Sequence, residues 1–558
     1  MSAAKGRGAA WTDAPKGRGA AWTEERVSAP EGRGVAWTEE RGTSDEGRRR
    51  LKAPRGRAGT QRARNEQRAT REGSALSAPE AHSKHSRALF RRLLPLGGEA
   101  SRAQAADDVL GAKAARLGRA FAAGLPVLPG WVVPVAEAIA ALDAGAAAVR
   151  AGRPAAARRA VLSRPLDDGL ARELREAAIR LGGRVIVRSS SPLERDGRWS
   201  GAFSSVSEVG PDDIATAVRS CWASAFAVDP LERLALCGLP LEALRLGVLL
   251  QPEIRMAAGG VARVTAGGDS STVIVEGIPG HPGPLLSGWA DGASARVPLP
   301  FSPAGTPSIR DMNPVVPPEG GLQDLIGGGT VAAVARLAAG CYGELGDDTI
   351  EWAACDGETW LLQAQRSAPD GADGETRRGP APRPAVAAGP AARGAPEALR
   401  LLAAAGPAGP GHTAQVTAAL RAADAHNGQP GSREWMPLLA AVVLAQGRRV
   451  PASPAVAGTA AGRLVACRPH ERPPGDCRDA ILLVDRPLPS LAPLLFGARG
   501  VMTRSGAAGS HLAEVARSLG VPMVIGCHPE PVTGPCVAGR DWIAAIDGST
   551  GEAALLAG

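Results

Sequence analysis

The chain has 558 residues, enough for two or three folded units with a substantial core. Its net charge is +8, but the first 92 residues hold 21 Lys and Arg against 11 Asp and Glu, which leaves 43 against 45 for the rest. The folded domains are therefore not expected to bind nucleic acid. Eight cysteines lack any C-x-x-C pair, the apolar run Met436–Ala445 is too short to span a membrane, and the N-terminus lacks an apolar signal segment. These features predict a cytoplasmic protein with reduced thiols and no membrane partner.

Residues 1–92 form a repetitive basic tail. A short motif begins at Lys5 and Lys16 (KGRGAAWT) and again at Glu31 (EGRGVAWT), and an Arg-rich run with almost no Leu, Ile, Val or Phe follows. Such a segment cannot bury enough apolar surface to offset the entropy lost on ordering. We expect a disordered extension or a start codon assigned too far upstream; the alternative is that interleaved Arg and Trp bind nucleic acid.

Residues 93–366 have the patterns of an α+β domain. LGAKAARLGRAFAAGL predicts an amphipathic helix, PVLPGWVVP a strand after a turn, and GRVIVRSSS a buried strand that runs into a loop. LGVLLQPEI and GVARVTA are interpreted as paired strands, and DTIEWAACDGETWLLQAQR as a hairpin that turns at Asp356-Gly357.

The second half of the chain is predicted to hold a separate α/β unit on a tether. Residues 367–397 are rich in Pro, Gly and Ala, and we interpret them as a flexible linker. Residues 398–449 indicate a short helical segment. Residues 450–558 return to short strands and turns, with GVMTRSGAAGS leading into the helix HLAEVARSLG and the strand VPMVIG. A domain tethered in this way is expected to move.

His511 is the first candidate for chemistry. It follows a glycine-rich turn, residues 506–510, and begins a helix. Backbone N–H groups and the positive end of the helix dipole favour a phosphoryl group at such a place. Residues 500–526 resemble the phosphohistidine loop of the mobile domain in the phosphoenolpyruvate synthase and pyruvate phosphate dikinase family, with its glycine turn, Ser510-His511, Ala516-Arg517 and Pro522 in register. Residues 450–465 resemble the entry hairpin of that domain and residues 537–555 its closing strands.

Two residues of this loop depart from the family pattern. The second glycine of the family pair is Ala507 here, and the threonine before Ser-His is Gly509. A hydroxyl group that could hydrogen-bond the phosphoryl group, or be a regulatory target, is therefore missing. The resemblance still implies that His511 carries phosphate.

The N-terminal domain resembles the ATP-grasp domain of the same family. Lys113 in LGAKAARL, Arg188 in VIVRSSS and the loop RWSGAFSSV match its nucleotide-binding elements in order and spacing. A lysine, a forked arginine and a loop of small residues suit the polyphosphate of ATP. By resemblance, Gly201 and Ser205 belong to the phosphate loop and Gln251 to the hinge beside adenine.

The resemblance also implies a magnesium site at Glu351 and Gln363, which lie on the two strands of the predicted hairpin and supply hard oxygen ligands. The family arginine two residues after the glutamine is Gln365 here, and Arg366 stands next to it. Because neighbouring strand residues point to opposite faces, Arg366 needs a β-bulge to take that place.

The expected fold is therefore multidomain, with an ATP-grasp domain, a linker with short helices and a swivelling phosphohistidine domain. The resemblance implies that His511 attacks the β-phosphorus of Mg-ATP, releases AMP and passes phosphate to an acceptor. Pyruvate-using relatives have a (β/α)₈ barrel of about 250 residues for that step, and residues 398–449 are too few for one. The acceptor is unknown: it is either small or bound by a separate protein. Two alternatives remain, an antibiotic or small-molecule kinase of the rifampin phosphotransferase type and a non-catalytic nucleotide-binding relative.

Overall fold

The computed structural model describes residues 90–267, 270–299, 321–366, 440, 443–444, 447–467, 477–529 and 542–557. These residues all belong to one compact unit that spans residues 78–558. The predicted tail up to residue 89, the linker 367–397 and nearly all of the helical segment 398–449 lie outside the described residues. We refer to described residues 90–366 as the N-terminal region and to 447–557 as the C-terminal region.

The N-terminal region contains two antiparallel five-stranded sheets. The first has the strand order β1-β2-β5-β3-β4, and the second has the order β10-β9-β6-β7-β8. Their strands are β1 (Leu94–Pro95), β2 (Trp131–Val133), β3 (Val185–Ser190), β4 (Val206–Val209), β5 (Gly247–Pro252), β6 (Ala258–Gly267), β7 (Ser270–Pro279), β8 (Ala293–Leu299), β9 (Thr349–Cys355) and β10 (Glu358–Gln365).

Eleven helices are described in this region, and they bury both faces of the first sheet and one face of the second. They are α1 (Glu99–Arg102), α2 (Ala106–Leu110), α3 (Ala112–Ala122), α4 (Val135–Arg150), α5 (Pro154–Leu162), α6 (Asp168–Arg180), α7 (Ile214–Ala223), α8 (Val228–Leu236), α9 (Gly283–Leu286), α10 (Leu322–Ile326) and α11 (Gly328–Leu345). Helix α3 packs between the sheets, where Leu117 shares one core with Leu249 of β5 and Val264 of β6. Helices α4 to α7 cover the opposite face of the first sheet.

Several local predictions are confirmed in the N-terminal region. The strand predicted in GRVIVRSSS is β3, and its side chains are nearly all buried. The predicted hairpin is β9–β10, and it turns at the expected pair, where Asp356 has φ 51° and Gly357 has φ 82°. Two consecutive positive φ angles are the signature of a type I′ turn, whose twist matches that of the flanking strands.

One prediction in this region is wrong. The strands in LGVLLQPEI and GVARVTA do not pair with each other: β5 has β2 and β3 on its two edges, so β6 begins the other sheet. The predicted amphipathic helix is confirmed as α3, which begins after Gly111, the N-cap residue, at φ 78°. A Cβ atom at this glycine would lie 2.0 Å from the carbonyl oxygen of Ser190, so the close approach of helix α3 to the end of β3 requires glycine.

Cross-strand registers of the second sheet align polar side chains in two rows. One row runs Glu276, Val261, Glu351 and Gln363 across β7, β6, β9 and β10. The neighbouring row runs Ile274, Arg263, Thr349 and Gln365 across the same four strands. Directly opposed residues, and residues two apart on a strand, share a face of the sheet. The N-terminal helices leave this face uncovered except where the short helix α9 packs against Val261.

The C-terminal region is built on one mixed eight-stranded sheet with the order β11-β18-β17-β13-β14-β15-β16-β12. Its strands are β11 (Arg448–Val450), β12 (Ser453–Val456), β13 (Thr459–Cys467), β14 (Ile481–Val484), β15 (Gly500–Thr503), β16 (Met523–Ile525), β17 (Trp542–Asp547) and β18 (Glu552–Ala557). Its described helices are α12 (Ala492–Leu495) and α13 (His511–Leu519).

The strand–loop–helix–strand prediction around His511 is confirmed as β15, α13 and β16, and the closing strands pair as β17–β18. The predicted entry hairpin is wrong. Strand β13 pairs with β14 and β17, so β12 crosses to the far edge of the sheet and pairs with β16 instead. None of the described helices is long and apolar enough to cross a lipid bilayer.

One buried arginine connects helix α8 to the loop that precedes β4. Arg233 is 0% exposed, and its Nε and Nη2 atoms each lie 2.7 Å from an oxygen of Asp229. Its Nη1 atom donates to the carbonyl oxygens of Arg198 at 2.7 Å and Ser200 at 3.0 Å. Because two backbone carbonyls depend on one guanidinium, the position of this loop is fixed by the core.

We expect Arg233→Ala to lower the free energy of unfolding by about 3–5 kcal/mol, because it leaves a largely buried carboxylate without its partner. Chemical denaturation measures this loss. The control is Arg180→Ala, which removes an exposed ion pair with Glu176 on helix α6 and should cost at most about 1 kcal/mol. Equal losses of unfolding free energy in the two variants would contradict the inference that Arg233 is a buried structural residue.

Candidate functional site

A single cleft brings together all the residues that the sequence singled out. It is lined by Lys113, Arg188, Gly201, Ser205, Gln251, Glu351, Gln363 and His511. These residues come from helix α3, from both sheets and the loop before β4 in the N-terminal region, and from helix α13, and as many as 398 positions separate them along the chain. A cleft with convergent charged and polar groups is the usual form of a ligand site.

The cationic side chains of the cleft are buried and paired. Lys113 Nζ lies 3.2 Å from Glu194 Oε1 and donates to the carbonyl oxygen of Ser189 at 3.2 Å. Arg188 Nη2 lies 3.8 Å from Glu351 Oε2, and Nη1 donates to the carbonyl oxygen of Leu362. Each cation is therefore held in place by the fold and faces the cleft.

Gln251 and Ser205 lie at the edges of this cationic group. Gln251 is 1% exposed, its Nε2 donates to the carbonyl oxygen of Leu128 at 2.9 Å, and its Oε1 accepts from Arg188 at 3.4 Å. Both ends of its amide are thus engaged by the protein, so its side chain orients Arg188 and the Leu128 backbone. Ser205 is exposed, directly before β4.

His511 touches the loop between residues 197 and 205. Its Nδ1 atom lies 3.0 Å from Ser200 Oγ. Gly201 has φ 68°, and a Cβ atom there would lie 2.9 Å from both Cβ and Cγ of His511. Only glycine permits this contact, because any other residue would collide with the imidazole and be strained at this φ angle. Since Arg233 holds the carbonyl of Ser200, the loop that touches His511 is anchored in the core.

The local sequence places His511 at the first residue of α13. Ser510 is the N-cap, and its hydroxyl accepts from the Ala513 N–H. Burial in the cleft lowers the pKa of His511 below its ordinary value, an effect strengthened by Lys113 and Arg233 and opposed by Glu351 and Glu194. The imidazole is therefore favoured in its neutral form at neutral pH.

Glu351 and Gln363 are direct register partners on β9 and β10, as the predicted hairpin required. Gln363 Nε2 donates to Gln365 Oε1 at 3.4 Å, which leaves the Gln363 carbonyl oxygen to face the cleft. A carboxylate and an amide oxygen fit Mg²⁺, which commonly takes one or two protein ligands plus phosphate and water. Among the described residues, no group of three or more His, Cys, Asp or Glu side chains forms a metal cluster.

Arg366 does not replace the arginine missing at Gln365. The bulge in the β9–β10 pair falls between Leu361 and Gln363, and Arg366 Nε donates to the carbonyl oxygen of Gly346 at 2.8 Å, at the end of α11. A different arginine, Arg263, stands in the row of Gln365 and lines a small cavity together with His511.

Three residues at the site were missed in the sequence: Glu194, Ser200 and Arg263. A signal for Glu194 existed, because Ser191-Pro-Leu-Glu194 is a capping-box pattern and the capping box is formed. Ser200 lies directly beside Gly201 in the proposed phosphate loop. The only sequence signal for Arg263 was that a polar residue alternates with apolar ones in its strand. That pattern does not distinguish a site residue from a solvent-facing one.

Two family models match parts of the chain that lie around this cleft. The AMP/ATP-binding domain of pyruvate phosphate dikinase matches residues 107–290, and the mobile domain of PEP-utilising enzymes matches residues 477–551. The first match includes Lys113, Arg188 and Gly201, and the second includes His511, whereas Glu351 and Gln363 lie beyond both.

A curated relative is the prodigiosin synthesizing transferase PigC of Serratia marcescens, to which the chain is 29% identical over 289 residues. The alignment covers 46% of this chain and 31% of PigC, so it spans less than a third of that relative's length. The resemblance to the phosphoenolpyruvate synthase and pyruvate phosphate dikinase family is thus confirmed at the level of two domains, which lie around one cleft in this chain.

Proposed function

We propose that the chain is an ATP-dependent phosphotransferase that phosphorylates its own His511 from Mg-ATP and passes the phosphate to an acceptor. The observation that carries this proposal is the cleft in which His511 meets the Gly201 loop, with Lys113 and Arg188 on the walls. The eight residues of the cleft supply a nucleophile, cations for phosphate and hard oxygen ligands. An ATP-grasp domain and a swivelling phosphohistidine domain account for these parts.

In the proposed reaction, Lys113, Arg188 and the Gly201 loop bind the phosphates of ATP. Mg²⁺ held by Glu351 and Gln363 would supply positive charge that offsets the negative charge of the phosphates. In the tautomer protonated on Nδ1, His511 donates to Ser200 Oγ and presents the lone pair of Nε2. Nε2 has no hydrogen-bond partner among the described residues, so it is the nitrogen proposed to attack phosphorus in line with the leaving group.

The products proposed for this step are phosphorylated or pyrophosphorylated His511 and a nucleotide, AMP if the β-phosphorus is attacked. The N–P bond forms from the Nε2 lone pair as the P–O bond to the leaving group breaks. The acceptor is proposed to be a small molecule or a group on a separate protein. PigC is named as a prodigiosin synthesizing transferase, which makes acceptors in biosynthetic reactions a reasonable first set to screen.

Incubation with Mg-ATP at neutral or mildly alkaline pH should add phosphoryl groups to the wild-type chain but not to His511→Ala, because the imidazole is the only proposed carrier. Intact-mass measurement detects the adduct, and chromatography of the nucleotides detects AMP. The control is His528→Ala, which removes an exposed histidine of the same region and should leave the adduct unchanged. Adduct in His511→Ala, or none in the wild type, would contradict the proposal.

The rate of His511 phosphorylation at saturating Mg-ATP should fall to half of its plateau value only at a pH below the ordinary histidine pKa of 6.5. The reason is that burial lowers the pKa of His511, so the neutral nucleophile persists at pH values at which an exposed histidine is protonated. Single-turnover quench experiments across pH measure this profile. A rate already halved above pH 6.5 would contradict it.

Gln365→Arg should lower the rate and raise the Mg²⁺ concentration needed for half-maximal activity. The substitution removes the acceptor that orients the Gln363 amide and adds a second cation near Arg263 in the same row of the sheet. A Mg²⁺ titration of ATP turnover measures both effects. A large gain in rate would instead favour the view that the site has decayed from a more active ancestor.

A further inference from the structure

The histidine loop, residues 506–510, is seated on the uncovered face of the second sheet. The Ala507 side chain is 5% exposed and packs with Val261 of β6 and with Leu285 and Leu286 of α9. Ala507 is one of the two positions at which the loop departs from the family pattern. Its methyl group fills an apolar contact that a glycine would leave without a side chain.

The other departure, Gly509, makes the closest contact of the loop with this sheet. Its N–H donates to Glu276 Oε2 at 2.6 Å. A Cβ atom at Gly509 would lie 2.8 Å from that same oxygen and 3.0 Å from Val261 Cβ. The first distance requires the Glu276 carboxylate to move and the second requires Val261 to give by a few tenths of an ångström, so a side chain at 509 would disturb the contact with Glu276. The absence of a side chain at 509 and the presence of the carboxylate at 276 are therefore complementary.

A second contact between the N-terminal and C-terminal regions lies one turn further along α13. Glu514 Oε2 accepts from Arg517 Nη1 at 2.8 Å and from Arg263 Nη2 at 3.2 Å, so one carboxylate oxygen bridges an arginine of each region. Arg517 Nη2 also donates to the carbonyl oxygen of Ala508 at 2.9 Å, which stiffens the loop itself. Burial raises the pKa of Glu276, and the hydrogen bond from the Gly509 N–H and the guanidinium groups of Arg263 and Arg517 oppose that rise.

Sheet register connects this contact to the catalytic groups. Glu276, Val261, Glu351 and Gln363 form one row, so the carboxylate that contacts the loop and the proposed magnesium ligands are fixed on one rigid sheet. His511 lies two residues beyond Gly509. A carboxylate that fixes the Gly509 amide therefore fixes where the imidazole stands relative to the groups that would hold ATP.

We propose that Glu276 is a positioning residue for phosphotransfer: it accepts the Gly509 N–H and so holds the histidine loop with His511 against the Gly201 loop. This inference rests on the proposed function for its catalytic consequence but not for its structural one. Glu276 acts through Gly509 and does not contact His511. The two departures of the loop are, on this view, adaptations to the surface that receives it.

Glu276→Ala should increase hydrogen exchange of the backbone amides in residues 505–514, because the docked loop loses the hydrogen bond from the Gly509 N–H to the Glu276 side chain. It should also lower the single-turnover rate of His511 phosphorylation by roughly 10- to 100-fold. The dissociation constant for ATP should change by less than about twofold, since Glu276 contacts the histidine loop and is not one of the residues proposed to bind ATP. Glu276→Gln keeps an oxygen acceptor and should recover a large part of both losses.

The matched control is Glu173→Ala. Glu173 also accepts backbone N–H groups, those of Arg92 at 2.9 Å and Leu93 at 3.2 Å, but within the N-terminal region. Its loss should lower stability without changing exchange in residues 505–514. A general loss of stability is thereby separated from loss of docking.

A double-mutant cycle gives a second, independent test. Gly509→Ala should slow phosphorylation strongly in the wild-type background, and the slowing should be smaller in the Glu276→Ala background, where one of the two colliding atoms is gone. Additive effects would overturn the proposal, as would unchanged exchange and an unchanged rate in Glu276→Ala. If the wild-type chain forms no adduct on His511, the proposed function fails, while the exchange measurements still decide whether Glu276 holds the loop.

Discussion

The contact between His511 and the Ser200–Gly201 loop is the constraint on which the other features of the site depend. It requires a glycine at 201, a hydroxyl at 200 beside Nδ1, and a loop that does not move. The loop is immobilised by Arg233, whose guanidinium is buried against Asp229 and reaches the Ser200 carbonyl. A buried ion pair contributes little net stability, but it fixes geometry, and here it fixes the loop that contacts His511, the proposed nucleophile.

Electrostatics in the cleft are balanced in pairs. Lys113 faces Glu194 and Arg188 faces Glu351, so neither cation is left unpaired in the protein interior. Phosphate groups that enter the cleft would compete with these carboxylates for the same cations, and a divalent cation at Glu351 would relieve that competition. The chain therefore keeps its charged groups in place without relying on exposed side chains.

The uncovered face of the second sheet carries residues for two proposed roles, magnesium binding and docking of the histidine loop. At one end of its row lie Glu351 and Gln363, the proposed magnesium ligands, and at the other end lies Glu276, which accepts a hydrogen bond from the histidine loop. Because paired strands have a fixed spacing, the distance from Glu276 to Glu351 and Gln363 is set by the strand register and not by flexible loops. Ala507 and Gly509 fit this face, so their departure from the family pattern is not by itself a sign of decay.

The sequence by itself determined the local features: the buried strand that ends at Ser190, the type I′ turn at Asp356-Gly357, and His511 at the start of a helix capped by Ser510. These follow from propensity, turn chemistry and capping, which act over a few residues. The family motifs also indicated eight of the residues that line the cleft, but not Glu194 or Ser200. Only the tertiary structure decided which strands pair, because both edges of β5 and β13 are taken by distant segments. Likewise, Arg263 contacts Glu514 and Glu276 contacts Gly509, and each pair is more than 200 residues apart in the chain. No local pattern encodes such contacts.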